Sequence, residues 1–195
     1  MGKVYKLVPI IGTIMESKEE KVLELFFNNP TRQWHFEEIV KEADLARSKA
    51  DNWLKRFIGS KLIKKVKKKG SMPYYISMHN SPAYRNRKRL FASNKLYESG
   101  LLNHLSSLKI HSVIIFGSYS RSDWYEESDI DVFIFGNPDG LKIAKYEQKL
   151  KRNIQLFIFR NAKELSRMGE GLIRNVLKGN LIAGNLDFLK VDINA

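Results

Sequence analysis

Residues 116–133 read FGSYSRSDWYEESDIDVF, and this stretch decides the predicted fold of the second half of the chain. A short apolar strand is predicted at residues 112–116, and the pair Gly117-Ser118 follows it directly. A glycine at such a bend lets backbone N–H groups approach a phosphate closely, and a helix starting at Ser118 would add its positive dipole end. Because a Gly-Ser pair after a strand is usually only a turn, it needs support from its surroundings.

That support comes after ten intervening residues, where Asp129 and Asp131 flank Ile130 at a strand predicted at residues 130–135. The two-residue period of a strand puts both carboxylates on one face, with Cα atoms roughly 7 Å apart. The opposite face is apolar and carries Ile130, Val132 and Ile134. Two like charges this close need a counter-charge, and oxygen-only ligation favours Mg²⁺ or Mn²⁺ over zinc. For the pair alone, the alternative is a polar strand edge exposed at a loop.

The residues that follow alternate between helix and strand. A helix is predicted at residues 141–152, a strand at 154–159 and a helix at 162–178, with Gly179 as its C-terminal cap. Strands that alternate with helices indicate α/β layers. We therefore predict a C-terminal α/β domain with a small mixed sheet at residues 109–195.

The spacing Gly-Ser-x10-Asp-x-Asp resembles the minimal nucleotidyltransferase branch of the DNA polymerase β superfamily, over roughly residues 108–190. The resemblance implies that Asp129 and Asp131 are catalytic and bind the metals that carry a nucleoside triphosphate. It also implies that Gly117, Ser118 and Arg121 bind the nucleotide. A hydroxyl would attack the α-phosphate, and pyrophosphate would leave. Two metal ions would bind the attacking and leaving oxygens. Ser122 departs mildly from the family pattern, which often has glycine there.

The departure that matters concerns a third carboxylate, which family enzymes usually carry on the following strand. Here that strand reads NIQLFIF and contains no acid, so Gln155 is the expected occupant. An amide oxygen can coordinate a metal but brings no negative charge. The sequence therefore predicts that Mg-nucleotide binding survives while transfer is slow or absent. A rescue by Asp123, Glu126 or Glu127 from the loop stays open.

The first half of the chain has a different pattern. A first helix is predicted to begin at the capping box Ser17–Glu20 and to stop at Asn28-Asn29-Pro30. Two more helices are predicted at residues 36–43 and 46–60. Two strands follow at residues 62–68 and 73–77. The third helix would turn Ala50, Trp53, Leu54 and Phe57 inward at helical spacing. Three helices and a basic hairpin resemble the winged helix-turn-helix family, which implies a third helix in the major groove and a wing along the phosphates.

Charge favours nucleic acid as a partner of this half. The net charge is +13, and residues 1–110 carry 22 Lys/Arg against 10 Asp/Glu. The predicted contacts with double-stranded DNA lie on the third helix and the wing: Arg47, Ser48, Lys49, Asn52, Lys55, Arg56, Lys65, Lys67, Lys68 and Lys69. The alternatives are a hairpin whose lysines only solubilise the chain and a winged domain that contacts protein.

These observations predict an α+β protein of three parts: a winged helix-turn-helix domain at residues 1–80, a helical connector at 81–108, and the nucleotidyltransferase-like domain at 109–195. The 195 residues include no cysteine, no leader-like start and no apolar run long enough for a membrane span, so we expect a cytoplasmic location. The favoured function is a DNA-binding, Mg-dependent nucleotidyltransferase that modifies an unknown hydroxyl. The alternative is a transcriptional regulator, or an antitoxin-like protein with a small helical protein partner, that binds nucleotide without efficient catalysis. Homodimerisation is also open, because winged-helix proteins often read paired half-sites.

Overall fold

The computed structural model describes residues 18–188, so Ser17 and its predicted capping box lie outside the described part. The N-terminal part contains three helices and three strands, in the order α1 Lys18–Asn28, β1 Trp34–His35, α2 Phe36–Glu42, α3 Arg47–Gly59, β2 Ile63–Val66 and β3 Tyr74–Ser77. The three strands form an antiparallel sheet in the order β1-β3-β2. The helices and the hairpin occur where the sequence predicts them, whereas the two-residue strand β1 was not predicted.

Helix α3 packs through a single apolar side. Ala50, Leu54 and Phe57 are buried at helical spacing, and Trp53 is half-buried beside them. The opposite side of α3 is polar and exposed. This distribution is what the 3.6-residue period predicts for a helix that covers a core on one side only.

The connector consists of α4, Pro82–Ser99, and α5, Leu101–Ser107. Ser81 caps α4, because its side chain accepts a hydrogen bond of 3.1 Å from the Tyr84 amide. Gly100 separates the helices with a left-handed φ of +82°. The Tyr84 hydroxyl donates a 2.8 Å bond to the carbonyl of Phe26 in α1, so the connector is fixed against the N-terminal helices.

The second half forms a four-stranded mixed sheet flanked by helices. Its elements are β4 Ser112–Phe116, α6 Gly117–Arg121, β5 Ile130–Phe135, α7 Ala144–Leu150, β6 Ile154–Phe159, α8 Ala162–Leu165, α9 Glu170–Val176 and β7 Asn180–Gly184. The strand order is β6-β5-β4-β7, in which β5 and β6 are parallel and the other pairs are antiparallel. The described residues therefore build an α+β structure with two small sheets.

Two local predictions for this half were wrong, and one strand was missed. The helix predicted at residues 162–178 is two helices, because Met168 turns into the core at 8% exposure and Gly169 is extended. Gly179 does not cap a helix: a Cβ atom there would lie 2.7 Å from the Ile115 carbonyl oxygen, so glycine is needed for close packing on β4. The strand that follows, β7, was not predicted.

The sheet has an apolar layer on each face. One cluster contains Ile130, Val132 and Ile134 of β5. The other contains Phe133 with Met168 and Val176 from the α8–α9 region. Asp131 has the same strand parity as Phe133 and therefore lies on this second face, at its open end. Within residues 18–188, no helix is long and apolar enough to cross a membrane.

Candidate active site

At the end of β4 the backbone bends against the start of β5. Gly117 begins α6 with a φ of +76°, a conformation that favours glycine. A Cβ atom at Gly117 would overlap Oδ2 of Asp131 and lie 2.9 Å from its Cγ. The absent side chain is thus the space that the Asp131 carboxylate occupies, and the structure brings the Gly-Ser bend and this aspartate together.

Asp131 lies between two neighbouring strands in register. It is opposite Phe116 on β4 and beside Gln155 on β6. Side chains at paired positions point to the same face of a sheet. The end of β4, the start of β5 and the start of β6 therefore present Asp131 and Gln155 to one location, with Asp129 directly before β5.

Burial raises the pKa of the Asp131 carboxyl above its usual range, and the charge of Asp129 raises it further. The Arg121 guanidinium acts in the opposite direction and favours the ionised form. A carboxylate destabilised in this way is stabilised by any further cation that binds beside it. The charge of Asp129 therefore acts on Asp131, which lies two positions further along the chain.

Ser118 and Arg121 belong to the short helix α6 beside these aspartates. Ser118 is half-buried, and its carbonyl accepts hydrogen bonds from the amides of Ser122 and Asp123. Arg121 is 37% exposed and donates a 3.2 Å hydrogen bond from Nε to Oδ2 of Asp123. The structure therefore gathers Gly117, Ser118 and Arg121 around one bend.

Strand β6 carries the amide of Gln155 where the resembling family usually has a third carboxylate. Gln155 is exposed, and it lies opposite Asp131 in the register of the parallel strands β5 and β6. Among residues 18–188, no group of three or more His, Cys, Asp or Glu side chains is arranged to hold a metal ion. The residues that could hold a divalent cation are the two aspartates, with the Gln155 amide oxygen as a neutral neighbour. Oxygen donors of this kind suit Mg²⁺ or Mn²⁺.

Two acids of the intervening loop have partners of their own. Asp123 is the ion-pair partner of Arg121. Glu126 accepts a 3.1 Å hydrogen bond from the Asn29 side chain, and its amide donates a 3.0 Å bond to the carbonyl of Asn28. Glu126 is therefore tied to the end of α1, which weakens the case for its rescuing the third carboxylate.

Sequence reasoning missed Arg152, which holds the loop that leads into Asp129. Its Nη1 donates hydrogen bonds of 2.8, 2.7 and 2.9 Å to the carbonyls of Tyr125, Glu126 and Ser128. Its Nη2 donates a 2.7 Å bond to Oδ1 of Asn28 in α1. No motif marks this arginine, because its partners come from two distant segments.

Lys88 is a second residue that the sequence left unmarked. It is 1% exposed, and Nζ donates a 2.5 Å hydrogen bond to the carbonyl of Trp124. Nζ also lies 4.0 Å from the centre of the Trp124 ring, within cation–π range. Trp124 in turn packs against Phe27 of α1 and Phe91 of α4. One aromatic cluster therefore joins the N-terminal helices to the loop before the aspartates.

The predicted DNA-contacting residues lie on exposed parts of α3 and the hairpin. Several cations on α3 already have acidic neighbours. Arg47 pairs with Glu37 at 2.5 Å, Lys55 with Asp51 at 2.7 Å, and Arg56 with Glu19 at 3.6 Å. Exposed pairs of this kind contribute about 0–1 kcal/mol, so a polyanion can compete for these side chains.

The remaining predicted contacts are also exposed. Ser48, Lys49 and Asn52 lie on the polar side of α3. Lys65 is in β2, and Lys67, Lys68 and Lys69 form the turn of the hairpin. The predicted DNA-contacting side chains of α3 and of the hairpin are therefore accessible to a partner.

Residues 99–178 match the family model described as a nucleotidyltransferase domain. The match runs from the end of α4 through α9, so it includes the Gly117 bend, both aspartates and Gln155. Residues 99–178 are therefore similar to nucleotidyltransferase domains, a class whose members typically use divalent metals.

A 31-residue stretch of the chain is 55% identical to part of a Methanocaldococcus jannaschii protein that is provisionally named a protein adenylyltransferase. The stretch is 16% of this chain and spans only 31% of the relative's length. No solved structure matches the chain significantly.

Proposed function

We propose that this protein transfers a nucleotidyl group from a nucleoside triphosphate, as a Mg²⁺ (or Mn²⁺) complex, to a hydroxyl acceptor. Asp129 and Asp131 hold the metal, while Gly117, Ser118 and Arg121 bind the phosphates. The acceptor oxygen attacks the α-phosphorus, the bond to the β-phosphate oxygen breaks, and pyrophosphate leaves as the hydroxyl loses its proton. The supporting observation is that the Asp131 carboxylate occupies the space which the missing side chain of Gly117 leaves free. A metal held by Asp129 and Asp131 would neutralise charge on the phosphates beside the Gly117 bend.

The chemical class of the acceptor is a further part of the proposal. The name of the archaeal relative favours adenylyl transfer to a protein, so ATP is the first nucleotide to test and a Ser, Thr or Tyr hydroxyl the first acceptor. A small helical protein partner fits such an acceptor.

A second candidate is a regulator that binds the metal–nucleotide without efficient turnover. Gln155 supports it, because an amide beside Asp131 adds no negative charge to hold a second metal near the attacking hydroxyl. Under this proposal, the domain regulates through binding of the nucleotide and not through its transfer.

We further propose that residues 1–80 form a DNA-binding winged helix-turn-helix domain, joined through the connector at 81–108 to the transferase at 109–195. The order α1-β1-α2-α3-β2-β3, the exposed polar side of α3 and the lysine-rich turn support this assignment. Arg47, Ser48, Lys49, Asn52, Lys55 and Arg56 would meet the major groove, and the wing lysines would meet phosphates.

Incubation with α-labelled ATP, CTP, GTP or UTP and Mg²⁺ tests the enzyme proposal. The acceptors to include are duplex DNA, single-stranded RNA and the products of neighbouring genes. Label transfer that Asp129→Ala abolishes, and that the exposed-loop variant Asp139→Ala retains, supports the enzyme. Absence of transfer with every acceptor, combined with Mg-dependent nucleotide binding that Asp131→Asn removes, supports the regulator. Binding that is equal with and without Mg²⁺ and in Asp131→Asn rejects both.

A further inference from the structure

A cavity lies between the two halves of the molecule, apart from the aspartate pair. Its volume is about 380 Å³, within the range of about 300–1,000 Å³ for small-ligand sites. The walls come from the turn after α1, the segment after β3, the first turns of α4, and the residues that end and follow α6. Both halves of the chain therefore contribute to one cavity.

The lining of this cavity has an excess of positive charge. Arg85, Lys88 and Arg121 all line it. Asp123 is an acid of the same wall, and it is already the ion-pair partner of Arg121 at 3.2 Å. Lys88 is 1% exposed and donates one hydrogen bond to the Trp124 carbonyl. A nearby anion would favour its protonated ammonium form, which has three donors. An anion entering the cavity could therefore accept hydrogen bonds from Lys88 and Arg85.

Ser122 provides an independent observation at the same wall. It is 5% exposed and takes a left-handed φ of +67°, which is uncommon for residues other than glycine. Within the described residues, its buried hydroxyl has no hydrogen-bond partner. A buried polar group without a hydrogen-bond partner destabilises the fold. A ligand in the adjoining cavity could supply the missing partner.

We propose that this cavity binds a phosphate group outside the Asp129–Asp131 pair, with Arg85, Lys88 and Ser122 as its donors. A phosphate presents several acceptor oxygens and more than one negative charge, which suits guanidinium, ammonium and hydroxyl donors together. This site needs no metal, because its positive charge comes from side chains. Arg121 lines the cavity, and its charge favours the ionised form of Asp131. The cavity therefore adjoins the proposed transferase site. The phosphate belongs either to a free nucleotide or to a nucleic-acid strand reaching from the wing.

Calorimetric titration of the full chain in EDTA tests this site separately, because EDTA removes the metal ion that nucleotide binding at the proposed transferase site requires. The probes are AMP and a 5′-phosphorylated dT oligonucleotide, each with its unphosphorylated counterpart. We expect the phosphorylated probes to bind and Arg85→Ala to weaken binding at least tenfold. Ser122→Ala should weaken it several-fold. Arg89→Ala, an exposed arginine one turn further along α4, is the matched control and should leave binding unchanged. The tighter of the two phosphorylated probes identifies the source of the phosphate.

Three results would overturn the site. They are no phosphate-dependent binding in EDTA, equal losses in Arg85→Ala and Arg89→Ala, or loss of the binding in Asp131→Asn. Thermal unfolding of each variant checks that the fold is retained. Failure here leaves the proposed transferase intact, because that activity is tested with Mg²⁺ and depends on Asp131 rather than Arg85.

Discussion

The side chains of Arg152 and Asn28 are hydrogen-bonded at 2.7 Å, although 124 positions separate them in the chain. The same guanidinium holds three carbonyls of the loop that leads into Asp129. The N-terminal helix α1 and the loop before the aspartates therefore share one anchoring residue. A change in α1 can reach the candidate active site through this contact.

Replacing Arg152 with methionine should destabilise the fold by about 2–4 kcal/mol, because three loop carbonyls and the Asn28 side chain lose a charged donor at once. Urea unfolding followed by circular dichroism measures the change. The control is Arg174→Met, which removes an exposed ion pair with Glu170 and should stay within about 0.5 kcal/mol of wild type. Similar losses in the two variants would contradict an anchoring role for Arg152.

Gly117→Ala should remove Mg-dependent nucleotide binding, because the new methyl group would displace the Asp131 carboxylate. Gly100→Ala is the matched control: its φ of +82° is equally unfavourable, yet nothing lies within 4 Å of an added Cβ. Both variants should lose about 1–2 kcal/mol of stability from the backbone conformation. Only Gly117→Ala should lose nucleotide affinity, measured by calorimetry with Mg²⁺. Normal affinity in Gly117→Ala would argue against a metal site at this bend.

Gln155→Glu should accelerate any nucleotidyl transfer at least tenfold, because it places a third carboxylate beside Asp131. Single-turnover assays with labelled nucleotide and Mg²⁺ measure the rate. Asn153→Asp adds the same charge at an exposed position just before β6 and should change the rate little. If both variants respond equally, the effect is general electrostatics rather than metal ligation.

The free energy of unfolding should rise with pH above neutrality because of Lys88. Burial lowers the pKa of Lys88 to about 7; Arg152 acts in the same direction, and Asp123 opposes the shift. Between pH 7 and 10 the unfolded chain keeps a proton that the folded chain has released, so raising the pH stabilises the fold by at most about 1.4 kcal/mol per unit. Lys88→Met should lose this rise, whereas Lys41→Met on exposed α2 should keep it. Parallel urea-unfolding profiles for wild type and Lys88→Met would contradict the shift.

Duplex DNA binding should weaken steeply with salt, with a log–log slope of about −0.9 per neutralised phosphate. Replacing Lys67, Lys68 and Lys69 together by alanine should make the slope shallower by about 0.9 for each phosphate that is no longer neutralised. A control triple variant at the exposed residues Lys142, Lys163 and Lys178 should leave the slope unchanged. Fluorescence anisotropy over a salt series measures both. An equal effect of the two triple variants would indicate attraction by net charge alone.

Much of the local structure could be predicted from residue order. The helical spacing of Ala50, Leu54 and Phe57 predicted α3 correctly, and the apolar run at residues 112–116 predicted β4. The predicted helix at residues 162–178 failed because its apolar positions do not reveal that Met168 turns into the core. The strand β7 was missed because Gly179 and its neighbours resemble a helix end until β4 is placed beside them.

For the candidate site, the two-residue spacing of Asp129 and Asp131 and the Gly117-Ser118 bend were determined by the sequence alone, because period and backbone freedom are local properties. Only the tertiary structure placed the Asp131 carboxylate over Gly117, buried Lys88 under Trp124 and directed Glu126 toward Asn29. These contacts join residues from 14 to 97 positions apart. Their geometry depends on which surfaces pack together, a property of the whole folded chain that no local pattern encodes.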